Sequence, residues 1–167
     1  MKNRVDIQDV DTKNIIIKRC SSKLTIERLA ENINNNNLEC TQIFNPKSVI
    51  NKIHLISAYL NAVNAFSSNT NISERLNIEM LLYSAMTNQI NKAIKKIGAD
   101  TNKDFVLFST PGDYKKISVF IENEKEFSNS FDMQLDIAKK YNITAENEKD
   151  LNLFIMQAIA LSHIKDK

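Results

Sequence analysis

Hydrophobic positions change their spacing several times along the chain, and each change marks an element. "NIIIKRC" (Asn14–Cys20) is a β-branched run between polar residues, which predicts a buried strand. In "KLTIERLAENI", Ile26, Leu29, Ala30 and Ile33 recur at helical spacing, with Ser22 or Thr25 as the N-cap. The tract Asn34–Asn37 ends that helix, because asparagine competes for backbone hydrogen bonds and tolerates left-handed geometry. "LECTQIF" (Leu38–Phe44) alternates apolar and polar residues, the pattern of a half-buried strand.

Asn45-Pro46 reads as a helix start, an N-cap side chain followed by proline at the first helical position. Ile53, Ile56, Leu60, Val63 and Phe66 then line one face to about Ser67. Asn71, with Glu74 three residues on, resembles a capping box. From there Leu76, Met80, Tyr83, Ile90, Ile94 and Ile97 keep helical register, and Gly98 closes the run at a C′ position. "DFVLFST" (Asp104–Thr110) predicts a third strand. "PGDYKKISVFIEN" fits the return arm of a hairpin or a helix capped by Thr110 with Tyr114, Ile117 and Ile121 on one face; the helix is the expectation. "DMQLDIAKKYNI" predicts a short helix, and Asp150 to about Lys165 a terminal one. Residues 1–13 lack periodicity and read as a tail. Strands interleaved with more numerous helices predict an α+β fold, a small central sheet with several packed helices, in a single domain over residues 1–167.

Composition narrows the chemistry. The chain is 43% hydrophobic and 25% charged, ordinary globular material. Two glycines in 167 residues leave no glycine-rich phosphate loop, and a net charge of +2 confines any nucleic-acid site to a local patch. Cys20 and Cys40 have no second pair at metal spacing and read as reduced thiols in or near the core. The polar N-terminus lacks a signal-peptide core, and no apolar run approaches the ~20 residues of a membrane span, so a soluble cytoplasmic protein is expected. His54 sits among apolar positions and reads as a hydrogen-bonded structural histidine. Glu27, Glu31, Glu74 and Glu79 read as helix-face charges. With no catalytic group, metal cluster or cofactor fingerprint in view, the expectation is a non-enzyme. The competing reading is a small-molecule-binding or enzymatic α/β domain whose pocket sequence does not reveal.

One stretch carries a family resemblance. "NISERLNIEMLLYSAMTNQINKAIKKIG", preceded by "HLISAYLNAVNAF", resembles the TPRKB-like family, the small kinase-binding subunit of the KEOPS (EKC) tRNA-modification complex. The matching positions are His54, Leu55, Ala58, Asn71, Ile72, Glu79, Leu81, Leu82, Tyr83, Thr87, Gln89, Ile90, Ala93, Ile94 and Gly98. The family's glycine is Met86 here, and its arginine is Asn88. The resemblance implies a non-catalytic subunit without a cofactor. Such a subunit binds the complex's atypical kinase/ATPase and helps recruit tRNA, by its acceptor end, to the threonylcarbamoyl transferase subunit. The product is threonylcarbamoyl-adenosine (t6A) beside the anticodon.

Two surfaces follow as candidates. If Thr87-Asn88-Gln89 breaks the long helix, free backbone N–H groups near Gln89 stand beside Lys92, Lys95 and Lys96, and with Asn71 these residues form the candidate nucleic-acid surface. The alternative is an unbroken helix whose polar residues face water. On the terminal helix, Leu151, Phe154, Ile155, Ala158, Ile159 and Leu161 share one face suited to the core. Leu153, Met156, Ala160 and Ile164 lie opposite and form the candidate partner stripe, unless "DMQLDIAKKYNI" covers them.

Overall fold

The β-branched run near the N-terminus becomes β1 (Ile16–Ser22), shifted two residues from its expected start. In the computed structural model, which describes residues 12–100 and 104–163, β1 is flanked by two later strands. The others are β2 (Thr41–Phe44), β3 (Asp104–Ser109) and β4 (Ile121–Glu126), all antiparallel in the order β2-β3-β1-β4. Residues 1–11 of the expected tail lie outside the described residues; Thr12–Asn14 form a 3-10 turn.

Alternation across the strands sorts side chains into two cores. Ile17, Phe44, Val106 and Phe108 face α2 (Lys52–Ser67), α3 (Leu76–Ala85), α4 (Ile90–Ile97), α6 (Phe131–Lys139) and α7 (Glu148–Leu161). Cys20, Ile43, Phe105 and Leu107 face α1 (Ile26–Asn35) and α5 (Pro111–Ile117). The register pairs Ile17 with Phe108 and Cys20 with Phe105, so each layer continues across strands. With helices on both faces the architecture is α+β, as expected. β2 is accordingly buried at all four positions, not half-buried. Its outer edge is closed: Gln42 Oε1 accepts the Ile43 N–H at 2.9 Å, Phe44 bridges to Gly98, and the Asn45 N–H donates to Ile97 O at 2.9 Å. The opposite edge, β4, exposes Glu122, Glu124, Lys125 and Glu126.

Several expectations change. Thr25, not Ser22, caps α1, and Ser22 Oγ instead donates to Phe120 O. Asn45-Pro46 opens a buried loop, and α2 begins at Lys52 behind Asn51, whose side chain accepts from His54 N. Val49 and Ile50 anchor that loop in the core, and Asn129 Nδ2 donates to both their carbonyls at 3.0 Å. The core face of α2 is not the predicted one. Leu55, Ala58, Tyr59, Ala62 and Ala65 join Val63 inside, while Ile53, Ile56, Leu60 and Phe66 are half-buried. Small residues let α2 and α3 approach closely, so α2 is apolar nearly all round. The helix reading of Pro111–Ile117 holds with Pro111 in the first turn, but Ile121 belongs to β4, which pairs with β1 and was missed. Gly98 does not adopt a left-handed conformation; its φ is −58°. It is needed for close approach, because a Cβ would lie 2.6 Å from Ile94 O.

Candidate functional site

The polar step does break the helix. α3 ends at Ala85, and Met86 takes the left-handed conformation, φ 55° and ψ 48°. Met86 N donates to Tyr83 O (3.1 Å) and Thr87 N to Leu82 O (3.2 Å), the paired bonds of a Schellman motif. A side chain in that conformation is strained, which is why glycine is the usual occupant. Met86 is half-buried there, packed against the main core. Two residues before the break, the Ser84 carbonyl accepts from Nε2 of His54 (2.8 Å), a fully buried residue of α2 whose Nδ1 accepts the Ile50 N–H (3.2 Å). The bonds require the neutral tautomer with the proton on Nε2. Burial, and secondarily the Lys96 charge, push the His54 pKa down to about 4 against the pull of the Ser84 carbonyl.

Beyond the break, Thr87 Oγ1 accepts the Gln89 N–H at 3.3 Å, and α4 starts with no side-chain cap. Thr87, Asn88, Gln89, Lys92 and Lys95 thus share one corner, with Gln89, Lys92 and Lys95 exposed. Lys96 is placed differently. The residue is exposed as well, but its Nζ sits 4.3 Å from the Tyr141 ring centroid, and partial desolvation lowers its pKa. Asn71 sits in the α2–α3 loop, where its Nδ2 donates to Ser73 O at 2.8 Å and shapes the turn. The predicted Asn71–Glu74 capping box is not made; α3 begins at Leu76 behind Arg75 with no side-chain cap.

Glu79 corrects a second reading. It is not a helix-face charge but fully buried on α3, with Oε2 accepting the Ile72 and Ser73 N–H groups at 3.0 and 2.7 Å. Desolvation raises its pKa against those two bonds. Its Oε1 stands 4.0 Å from Nδ1 of His163, whose ring stacks on Tyr83 with centroids 3.8 Å apart. A loop, α3 and the segment after α7 therefore meet at one carboxylate. The signal available in sequence was its setting, an acid enclosed by "NIEMLLY".

On α7, Leu151, Ile155 and Ile159 are buried. Leu153, Met156 and Ala160 are exposed, and α6 does not cover them. Ile164 lies outside the described residues. Phe154 and Leu161, assigned by their spacing to the core, are also exposed, at 39% and 52%. The buried stripe is one residue wide per turn, so α7 offers solvent a broader apolar face than its sequence suggested.

A family model for kinase binding protein CGI-121 matches residues 7–163. The chain belongs to that family. The match extends far beyond the segment that carries the resemblance in sequence, taking in the sheet, α1 and α7. Comparison with curated proteins returns no match. The CGI-121 description is of a partner-binding protein, an accessory rather than a catalytic role. Among the described residues of this CGI-121 chain, no group of three or more His, Cys, Asp or Glu is placed to hold a metal, and no helix is long and apolar enough to cross a membrane. Cys20 and Cys40 are free thiols, and burial pushes the Cys20 pKa up to about 12.

Proposed function

We propose that this CGI-121 chain is the non-catalytic subunit that binds and regulates the atypical kinase/ATPase of a KEOPS complex, with α7 as the docking helix. The observation that carries the reading is the exposed row Leu153, Met156 and Ala160, widened by Phe154 and Leu161, in a chain of a kinase-binding family. A monomer gains nothing from leaving such a face in water, and methionine adapts to an irregular partner surface. The double variant Leu153→Ser with Met156→Ser tests it. Capture of the purified kinase subunit should fall at least tenfold with the melting temperature unchanged. Undiminished capture refutes α7 as the docking helix.

The same reading assigns the α3–α4 corner to RNA. Thr87, Asn88 and Gln89 expose polar groups at the break, and Lys92 and Lys95 supply positive charge within two turns. In this proposal the corner helps bring the tRNA acceptor end toward the threonylcarbamoyl transferase for t6A formation. Lys96 contributes less than its spacing implies, because its ammonium lies on Tyr141. With few cations, the contribution to binding is weak and steeply salt-dependent.

A further inference from the structure

Beside the α3–α4 corner, three chain segments bring lysines together, and two of these, Lys47 and Lys140, belong to neither proposed surface. The Lys96 ammonium lies on the Tyr141 ring, which joins α4 to the turn after α6. Tyr141 Oη in turn donates to Ser48 O at 2.6 Å, and Lys140 Nζ donates to Lys47 O at 2.7 Å. These contacts seat the end of α6 against the loop before α2, with Lys47, Lys96 and Lys140 all exposed. Among the described residues, none of the three forms an ion pair. Two acids close in sequence are engaged elsewhere: Asp136 with Lys139 at 2.8 Å, and Asp100 as acceptor from Asn45 Nδ2 at 3.2 Å.

The Lys140 ammonium is therefore fixed to the backbone of another lysine, a concentration of like charge that no carboxylate offsets and that an anion would relieve. Along α4, Lys92 stands one turn before Lys96, about 6 Å along the axis. Cations thus run in a row from the helix break, through Lys92 and Lys96, to Lys140 and Lys47. A row of separate charges matches a ligand with regularly spaced charges of its own, not a single small anion.

We infer that Lys47 and Lys140 form a second anion-binding station, which takes the phosphodiester backbone of an RNA strand beyond the part held at the α3–α4 corner. The inference rests on the assignment of that corner to RNA and extends it along the strand. Ammonium contacts to phosphate carry no sequence information, so this station adds affinity and orientation without base preference. Lys96, committed to Tyr141, joins the two stations.

Anisotropy titrations of the full chain with two RNAs test it: an acceptor-stem hairpin ending in its single-stranded 3′ tail, and the tail alone. Lys47→Ala with Lys140→Ala should weaken hairpin binding about fivefold at about 0.1 M salt and reduce the slope of log affinity against log salt by about 1.4–1.8, the release of two counterions. Binding of the tail alone should not change. Lys47→Arg with Lys140→Arg should bind the hairpin as wild type does, and Lys139→Ala, whose charge Asp136 already neutralises, should leave the slope unchanged. Lys92→Ala with Lys95→Ala should weaken both RNAs. If that corner variant weakens both while the Lys47 and Lys140 alanine variant keeps wild-type affinity and slope for the hairpin, the inference alone fails. If wild type binds neither RNA, the corner assignment fails and the inference with it. Polyglutamate displacing the hairpin as readily as unlabelled hairpin at equal charge also overturns it, in favour of an acidic protein segment.

Discussion

Acid should unfold this protein through His54. The folded chain keeps that imidazole neutral down to about pH 4, whereas the unfolded chain protonates it near the ordinary value of 6.5. Between those values protons bind the unfolded chain preferentially. The histidine's contribution is therefore complete above about pH 6.5 and is lost as pH falls toward 4. At about 1.4 kcal/mol per pH unit, the separation is worth about 3 kcal/mol in full, and about 2.5 kcal/mol of it is gone by about pH 4.5. The structural cause is specific: a second proton at Nδ1 would displace the Ile50 N–H, freeing the loop before α2, and would place a charge beside Lys96. His54→Gln retains an amide donor for the Ser84 carbonyl but does not titrate. It should cost about 1–2 kcal/mol at neutral pH through imperfect packing. Urea unfolding at about pH 7.5 and about pH 4.5 is the assay. Wild type should lose about 2.5 kcal/mol more than the variant over that interval. Glu79, whose raised pKa acts in the opposite direction, is present in both proteins and cancels. Equal losses in the two proteins would refute the reasoning.

Three other outcomes are expected. Met86→Val should destabilise by about 2 kcal/mol while Met86→Gly does not, because only the β-branched residue is excluded from a left-handed position; equal melting temperatures would deny the strained break. Gly98→Ala should cost about 2 kcal/mol, since its methyl must displace Ile94 O or part the bridge to Phe44, and thermal unfolding reads this directly. Joint replacement of Lys92, Lys95 and Lys96 by alanine should weaken tRNA binding and flatten its salt slope, with Lys96→Ala alone the smallest contributor, and Asn88→Arg should strengthen it; filter binding across a salt series checks all of these.

Helix α1, its Thr25 cap, strand β3 and the Pro111 start were readable because each has a local cause in its own side chains. Errors arose where the cause was distant. Asn45-Pro46 is a sound helix start locally, yet buried Val49 and Ile50 and the Asn129 side chain tie that stretch down as a loop. Strand β4, "IENEKE", shows no core alternation because it lies at a sheet edge with one neighbour, so periodicity had nothing to report. The helix break was visible as a polar step, but the bond from His54 on α2 that holds the Ser84 carbonyl at the end of α3 joins residues thirty positions apart. The exposure of Leu153, Met156 and Ala160 on α7 was legible in their spacing. Its extension to Phe154 and Leu161 was not, since a helical wheel gives directions and not the width of what covers them.

One closed and one charged sheet margin govern what the isolated chain can and cannot stick to. A strand left open at its side is a template for another polypeptide, the usual start of fibre formation and of strand exchange between copies. Here Gln42 consumes one donor of β2 internally and Gly98 occupies the next stretch, while β4 presents alternating carboxylates and an ammonium that repel a like neighbour. Association by ladder extension is thereby suppressed at both ends, and helix-face packing is left as the favoured route to complexes. Strand-by-strand growth into cross-β stacks is thus disfavoured at these two margins.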